Sequence, residues 1–316
     1  MNGEIFFAIG TGPLYDGPMF NEVSTFTEVK PYEIVFAAGK GLPPEAEEEL
    51  REALDLLGKR GWSALFMEAE TSEQLLKALE GTSPEGRLFL AGDTDLWRSL
   101  KERGFAAAAW SHPGNREDRF PGASYVLEEP AWVDDDSLNK IYQRLTGNPW
   151  KILETERTLV REFVPEDLED IYGLYDEEAR RYLEPPGPDT ERERQILKDY
   201  IGRIYGLFGF GHWAVLSKES GHLIGRMGFS LPTAREKEIL GADAMLGYLT
   251  AKEARGQGLT LEVTRALLDY GKNFLLFERV GAEADAGNRA SVRLLEKLGF
   301  ERVMEEKGKI LFSRKA

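Results

Sequence analysis

Short apolar runs alternate with longer amphipathic stretches along the first 150 residues. An apolar run at 33–38 is followed by a stretch, Pro43–Lys59, whose apolar residues recur every three or four positions, so a strand and then a helix are predicted. Further strands are predicted at Ala64–Met67, Arg87–Ala91 and Phe105–Trp110, and helices at Ser72–Leu79, Leu96–Arg103 and Asp136–Leu145. This alternation predicts a small α/β domain that is Rossmann-like, with a mostly parallel sheet.

The pattern changes after the segment Thr146–Trp150, in which a glycine and a proline stop one helix and start a new element. The following part predicts strands and helices in this order: Thr158–Phe163, helices Pro165–Leu183 and Thr190–Leu207, strands His212–Ser217, Leu223–Leu231 and Asp243–Thr250, helix Leu259–Phe274, strand Arg279–Asp285, helix Arg289–Leu298, and strands Phe300–Glu305 and Lys309–Ser313. Hairpin strands followed by one β-α-β-α passage predict an α+β fold with a mixed sheet. We therefore predict two domains, 1–148 and 152–316.

Composition narrows the classes of function. The chain has no cysteine, which excludes thiolate chemistry, and its three histidines are too scattered to predict a metal site. The net charge of −15 leaves neither half with the basic surplus that nucleic-acid binding needs. No apolar run reaches the roughly 18 residues that span a bilayer, and no leader pattern opens the chain, so we expect a cytoplasmic protein without a membrane partner. The sequence does not determine the oligomeric state.

A glycine-rich stretch, Arg255-Gly256-Gln257-Gly258-Leu259-Thr260, lies between a strand and a helix. Helix N-termini present unpaired N–H groups and a partial positive charge, so they bind phosphate oxygens. Gly256 and Gly258 lack a Cβ, which lets the backbone approach a pyrophosphate closely. The Arg255 guanidinium and the Thr260 hydroxyl supply further hydrogen-bond donors. Taken alone, the stretch is more typical of a simple turn.

A second motif about thirty residues later changes that interpretation. In the stretch 287–300, Asn288 is suited to cap a helix and Gly299 to end it before Phe300. Together the two motifs and their spacing resemble the GNAT (Gcn5-related N-acetyltransferase) superfamily, and the later one resembles its branch of ribosomal-protein N-terminal acetyltransferases. The resemblance extends over about Thr155–Arg314.

The resemblance implies how this chain binds acetyl-CoA as the acetyl donor. The loop from Arg255 to Thr260 would hold the pyrophosphate, and Leu249, Thr250 and Ala251 would pair with the pantetheine arm. The N–H of Leu249 or Thr250 would polarise the thioester carbonyl. Asn288 would bond the pantetheine amide.

The catalytic groups depart from the family pattern. Many relatives have a tyrosine acid where this chain has Leu295, so the Ser291 hydroxyl one turn earlier is the candidate acid, with helix packing as its alternative role. Relatives often have a glutamate where this chain has Met245. Asp243 shares the same strand face and is a candidate base or water anchor, unless it is a solvated strand-end residue. Glu162 is a further possible base.

An aromatic and glycine-rich strip, Tyr200–Trp213, either walls the acceptor site or is a core helix that ends in a flexible turn. A separate run, Asp134–Asp136, is interpreted as a helix cap in preference to a metal cluster. The segment His112–Asn115 follows a strand where such sheets hold ligands, although such a segment is more often only a turn.

The first half resembles the haloacid-dehalogenase-like phosphatases in Arg87–Asp95 and in the segments near 100–105 and 122–127. Those enzymes open with two aspartates one residue apart. In the opening Ile9–Gly17, Ile9 and Thr11 take these positions, and an isoleucine neither attacks a phosphoryl group nor binds Mg²⁺. The resemblance therefore implies a catalytically degenerate domain.

The sequence as a whole predicts an acetyl-CoA-dependent N-acetyltransferase. Its acceptor would be a primary amine, on a protein N-terminus or a small molecule, and transfer would be direct within a ternary complex. The alternative is a non-catalytic acyl-CoA-binding regulatory or scaffold protein, which the missing tyrosine at Leu295 and the missing glutamate at Met245 would explain.

Overall fold

A computed structural model describes residues 28–117 and 120–316 of the chain. The described residues form two compact units, 28–150 and 151–316, and each has its own apolar core. The opening segment Ile9–Gly17, on which part of the phosphatase resemblance rests, lies outside the described residues. Within them no helix is long and apolar enough to cross a membrane.

The first unit is a parallel sheet between two helical layers. Its elements are β1 (Glu33–Gly39), α1 (Pro44–Lys59), β2 (Ser63–Ala69), α2 (Ser72–Ala78), β3 (Arg87–Ala91), α3 (Thr94–Glu102), β4 (Ala106–Trp110), β5 (Val126–Leu127) and α4 (Asp135–Leu145). The strand order is β2-β1-β3-β4-β5, and every described pairing is parallel. The predicted α/β class and parallel sheet are confirmed. Asp134 accepts a hydrogen bond from the Ser137 N–H (2.9 Å), which confirms that the aspartate run caps α4.

The second unit is built on a mixed sheet. Its elements are β6 (Lys151–Glu154), β7 (Thr158–Arg161), α5 (Leu168–Gly173), α6 (Thr190–Tyr200), α7 (Gly206–Phe208), β8 (His212–Ser217), β9 (Leu223–Ser230), α8 (Ala234–Leu240), β10 (Ala244–Thr250), α9 (Leu259–Asn273), β11 (Arg279–Asp285), α10 (Arg289–Lys297), β12 (Glu301–Glu306) and β13 (Lys309–Lys315). The strand order is β12-β13-β11-β10-β9-β8-β7-β6, so the predicted mixed sheet is confirmed.

The parallel pair at the centre of this sheet opens like a V. Strands β10 and β11 are paired only at Ala244 and Met245, whereas β10 follows β9 over its whole length. Beyond Met245, no strand among the described residues pairs with the edge of β10 that faces β11. Backbone N–H and C=O groups on that edge are therefore available to a ligand.

Alternation along the strands decides which side chains share a face of the sheet. Trp213 of β8 lies against Tyr270 of α9, with ring centroids 5.9 Å apart, so the face that carries Trp213 is the α9 face. Tyr248, two strands away in the same alternation, shares that face. Arg226 lies on the opposite face, where its guanidinium reaches Tyr175 just after α5.

Two predicted helices differ from the structure, and one further helix was not predicted. The helix predicted over Pro165–Leu183 contains only α5 and two 3₁₀ turns. The helix predicted over Thr190–Leu207 changes to a π-helical turn at Ile201–Tyr205. Helix α8 was missed although Thr233 and Glu236 form a capping box before it, a signal that the sequence contains.

Candidate active site

The loop before α9 presents a row of unpaired backbone donors. Gly258 is the N-cap of α9 and has φ +79°, and Gly256 has φ +75°, so both adopt a left-handed conformation that favours glycine. No side chain caps this helix end. Within the described part of the chain, the N–H groups from Gly256 to Leu261 have no acceptor in turns, caps or side chains. Such a row of N–H groups at the N-terminus of a 15-residue helix is suited to bind a pyrophosphate.

Two arginines hold this loop in place. Arg157 donates to the Gln257 carbonyl (3.0 Å) and forms an ion pair with Glu262 of α9, with 2.8 Å between Nε and Oε2. Because the C=O and N–H of a trans peptide point in opposite directions, this contact turns the Gly258 N–H away from Arg157. Sequence reasoning missed Arg157, because it is about 100 residues from the loop.

Arg255 is held on the opposite side of the loop. Its Nη1 and Nη2 donate to both carboxylate oxygens of Asp176 (2.9 and 3.0 Å), and its Nε donates to the Thr250 carbonyl (3.0 Å). The hydrogen bonds from Arg255 lower the pKa of Asp176 to about 2. The guanidinium that was predicted to contact phosphate thus anchors the loop to the segment after α5, and the backbone N–H groups are left to meet the phosphate.

The other predicted cofactor residues lie at the end of β10 and at the start of α9. The Thr250 and Thr260 hydroxyls are 2.8 Å apart, so Thr260 is partly engaged within the protein. Ala251 N–H donates to the Ile224 carbonyl of β9 (2.9 Å). Alternate residues of a strand bond to opposite neighbours, so the Thr250 N–H faces the open side next to β11. Of the two predicted carbonyl-polarising donors, Leu249 and Thr250, this geometry favours Thr250.

A pair of hydroxyls lies on the α9 face beside the opening. Tyr248 Oη is 2.7 Å from Ser291 Oγ of α10. Burial raises the pKa of Tyr248 to about 12, although the bond to Ser291 opposes the shift, so the phenol is protonated at neutral pH. Leu295 is fully buried in the core, and its position offers no polar group to the site. Tyr248 is a candidate acid that sequence reasoning missed. The signal was present, because Tyr248 is two residues from Thr250 on the same strand and so shares its face.

Asn288 caps helix α10, as its position in the sequence predicted. Its Oδ1 accepts from the Ser291 N–H (3.1 Å) and caps α10. The amide nitrogen has no hydrogen-bond partner within the described residues, so it is free to donate to a ligand.

Asp243 lies at the closed end of the V. Its Oδ2 accepts from the N–H groups of Glu278 and Arg279 (2.8 and 3.0 Å), which ties the start of β10 to β11. Six residues of strand, roughly 20 Å, separate it from Leu249. This placement argues against the predicted role as a base, because both the distance and the occupied carboxylate favour a structural role. Glu162 is buried, at 3% exposure, and is engaged in an interaction of its own.

The opposite face of the sheet carries a row of half-buried positions across its central strands. His212, Gly228 and Gly247 are register partners on β8, β9 and β10. The His212 imidazole lies over Gly247, in the space that a side chain on β10 would fill. The His212 N–H donates to the Tyr200 hydroxyl oxygen at 2.6 Å, and the Tyr205 hydroxyl donates to the His212 carbonyl at 2.6 Å. Part of the aromatic strip therefore holds β8 beside this row.

Comparisons with known proteins show what the second unit is similar to. The family model described as "Acetyltransferase (GNAT) domain" matches residues 157–301. YkkB of Bacillus subtilis (strain 168) is 30% identical over 150 residues, which are 47% of this chain and 84% of that protein. The uncharacterized N-acetyltransferase YoaA of the same organism is 27% identical over 152 residues, which are 48% of this chain and 83% of that protein. A GNAT-family acetyltransferase of Bacillus anthracis is 19% identical, with a TM-score of 0.43 over 52% of this chain and 97% of that one.

The chain belongs to the GNAT acetyltransferases through its second unit, and it is a transferase enzyme. GNAT acetyltransferases generally use acetyl-CoA, which matches the unpaired donors of the loop.

The first unit has a separate crevice at the carboxyl ends of its strands. A cavity of about 330 Å³ is lined by Gly39, Glu70, Thr71, Asp93 and Asp95, among others. It lies at the carboxyl end of β1, which pairs with β2 on one side and with β3 on the other. Parallel sheets hold ligands at such a position. Among the residues that the structure describes, no group of three or more His, Asp or Glu is arranged to hold a metal ion. The phosphatase resemblance of this unit stays a prediction.

Proposed function

We propose that the second unit transfers the acetyl group of acetyl-CoA to a primary amine by direct attack in a ternary complex. The observation that carries this proposal is the combination of unpaired N–H groups at the start of α9 with the opening between β10 and β11. The loop is suited to the pyrophosphate, and the open edge of β10 is suited to the amide groups of a pantetheine arm. The acyl donor would then end beside Thr250 and Tyr248.

The chain's own residues account for the steps of the transfer. Acetyl-CoA supplies the acetyl group as a thioester. The amine nitrogen bonds to the acetyl carbon while the carbon–sulfur bond breaks, and the nitrogen gives up a proton to water. The Thr250 N–H donates to the carbonyl oxygen as negative charge develops there. The Tyr248 hydroxyl, oriented by Ser291, donates a proton to the leaving sulfur.

This assignment also bears on the non-catalytic alternative. That alternative rested on the missing hydroxyl at Leu295 and on the missing carboxylate at Met245. Tyr248 supplies a hydroxyl from the neighbouring strand in place of one from Leu295, so the chain has an acid without the family's tyrosine.

The test combines binding with turnover. Calorimetry measures acetyl-CoA affinity, and thiol release over a panel of primary amines measures transfer. We expect Tyr248→Phe to lower kcat about 100-fold, the lower bound for a lost acid, with acetyl-CoA affinity unchanged. Tyr172→Phe is the matched control, because its hydroxyl bonds the Gly187 carbonyl. Absence of acetyl-CoA binding at millimolar concentration refutes the proposal, and tight binding without turnover supports the non-catalytic alternative.

A further inference from the structure

Arg226 is a half-buried cation on a central strand of the second unit. It lies in the middle of β9, on the face opposite to α9, with Leu249 of β10 as its register partner. Its one hydrogen bond among the described residues runs from Nη1 to the Tyr175 hydroxyl at 3.2 Å. A guanidinium has five N–H donors, so most of its capacity is unused.

No carboxylate in the described ranges 28–117 and 120–316 forms an ion pair with Arg226. Asp176, one residue after the Tyr175 that Arg226 contacts, gives both of its carboxylate oxygens to Arg255. A cation that is partly removed from water without a counter-ion is costly, and cores of this kind normally contain apolar residues at such a position. An arginine at this point is explained if an anion binds there.

The position of Arg226 places such an anion beside the reacting carbonyl. Antiparallel register partners lie about 4.5–5.5 Å apart between their Cα atoms, so Arg226 is one strand away from Leu249 and the adjoining Thr250. The α9 face of β10 is occupied by the Tyr248–Ser291 pair. An amine therefore reaches the carbonyl from the face that carries Arg226, His212 and the bare backbone of Gly247.

The groups next to Arg226 on this face carry no charge, so Arg226 decides which acceptor binds there. Burial, with a contribution from the charge of Arg226, lowers the pKa of His212 to about 3, so this imidazole is neutral. Tyr175 and Tyr200 supply hydroxyl groups. A polyamine would bring a second positive charge next to Arg226, which opposes its binding.

We propose that the acceptor is an amine that also carries a carboxylate, as in an α-amino acid, and that Arg226 binds this carboxylate. The fork of the guanidinium matches the two carboxylate oxygens and fixes their direction, which orients the amine toward the acetyl carbon. This inference rests on the proposed function and specifies the substrate class of the same site.

The experiment uses the full chain and matched sets of acceptors. Each set contains an amino acid, its α-amide and the amine without the carboxyl group, for example phenylalanine, phenylalaninamide and phenethylamine; spermidine is added as a polycation. Thiol release from acetyl-CoA gives kcat/KM for each acceptor. We expect at least a tenfold preference for the carboxylate member of the best set. Arg226→Gln should lower kcat/KM for that member at least tenfold and change the amide and the KM for acetyl-CoA less than twofold.

Two further variants separate a specific role from a structural one. Arg226→Lys keeps the charge without the fork and should retain an intermediate preference. Arg265→Gln removes an exposed arginine from α9 and should leave every value unchanged. Equal or better transfer to amides or spermidine overturns the proposal. An equal loss for all acceptors, or a raised KM for acetyl-CoA in Arg226→Gln, overturns it as well.

A binding measurement distinguishes failure of this inference from failure of the proposed function. If no amine consumes the thioester, the proposed function fails, and calorimetry on the CoA-loaded protein then decides the role of Arg226. N-acetylphenylalanine should bind at least tenfold tighter than N-acetylphenethylamine to the native chain and equally to Arg226→Gln. Equal binding of both to the native chain refutes the carboxylate site.

Discussion

Gly228 and Gly247 are register partners on β9 and β10, yet we expect the same substitution to have very different effects at the two positions. A Cβ on Gly228 would meet the backbone of β8, with the His212 Cα at 2.8 Å and the carbonyl carbon of Gly211 at 3.0 Å. A Cβ on Gly247 would meet the His212 imidazole, whose Cδ2 and Cε1 lie at 3.4 Å and whose Nε2 is closer. Backbone in the centre of a sheet cannot move away, whereas a ring at the end of a side chain can.

The magnitudes follow from these contacts. Gly228 has φ +154°, a conformation that costs an alanine roughly 1–3 kcal/mol. Displacement of β8 also disturbs the bond from the Phe229 N–H to the Gly211 carbonyl (2.9 Å), worth about 1 kcal/mol. With the backbone overlap added, Gly228→Ala should destabilise the second unit by more than about 4 kcal/mol. Gly247→Ala causes only side-chain overpacking, at about 1–3 kcal/mol.

Scanning calorimetry of the full chain measures both effects, and the transition that acetyl-CoA shifts identifies the second unit. Gly202→Ala is the control, because its Cβ would meet no atom within 4 Å. The double variant Gly247→Ala/His212→Ala should be more stable than the two single effects predict when added, because the ring that caused the overlap is gone. His212→Ala should not rescue Gly228→Ala.

Either of two results would refute this reasoning. If Gly228→Ala is as stable as the Gly202→Ala control, β8 and β9 are not packed as described. If Gly247→Ala and His212→Ala are strictly additive, the imidazole does not lie over Gly247.

Three further predictions concern charged groups of the same unit. Because the pKa of His212 is lowered to about 3 from 6.5, the unfolded chain binds a proton that the folded chain does not, so stability should fall as pH drops below 6.5, by at most about 1.4 kcal/mol per pH unit. Thermal unfolding between pH 6.5 and 5 should therefore show a flatter dependence in His212→Asn, and an unchanged slope contradicts the prediction. Asp176→Asn should weaken acetyl-CoA binding about fivefold in calorimetry by loosening Arg255, whereas Glu178→Gln, which removes an exposed partner, should change it less than twofold. Arg255→Glu should weaken binding at least tenfold, and unchanged affinity would show that the loop needs no such anchor.

Most of the fold could be predicted from local patterns. The apolar periods at 33–38 and 44–59 depend on neighbours along the chain, and so does the cap at Asp134, so the sequence alone predicted them correctly. The helix predicted over Pro165–Leu183 was wrong, because packing against the sheet retains only one short helix there. The capping box of α8 was present in the sequence and was overlooked.

The sequence by itself determined the family and predicted the cofactor loop, because Gly256 and Gly258 act through their own backbone conformation and Asn288 through a cap to a residue three positions later. Only the tertiary structure decided what the side chains around that loop do. Arg255 contacts Asp176, 79 residues away, and Tyr248 contacts Ser291, 43 residues away. Partners so distant in sequence become neighbours only when the strands and helices pack, and no local pattern records which of them will meet.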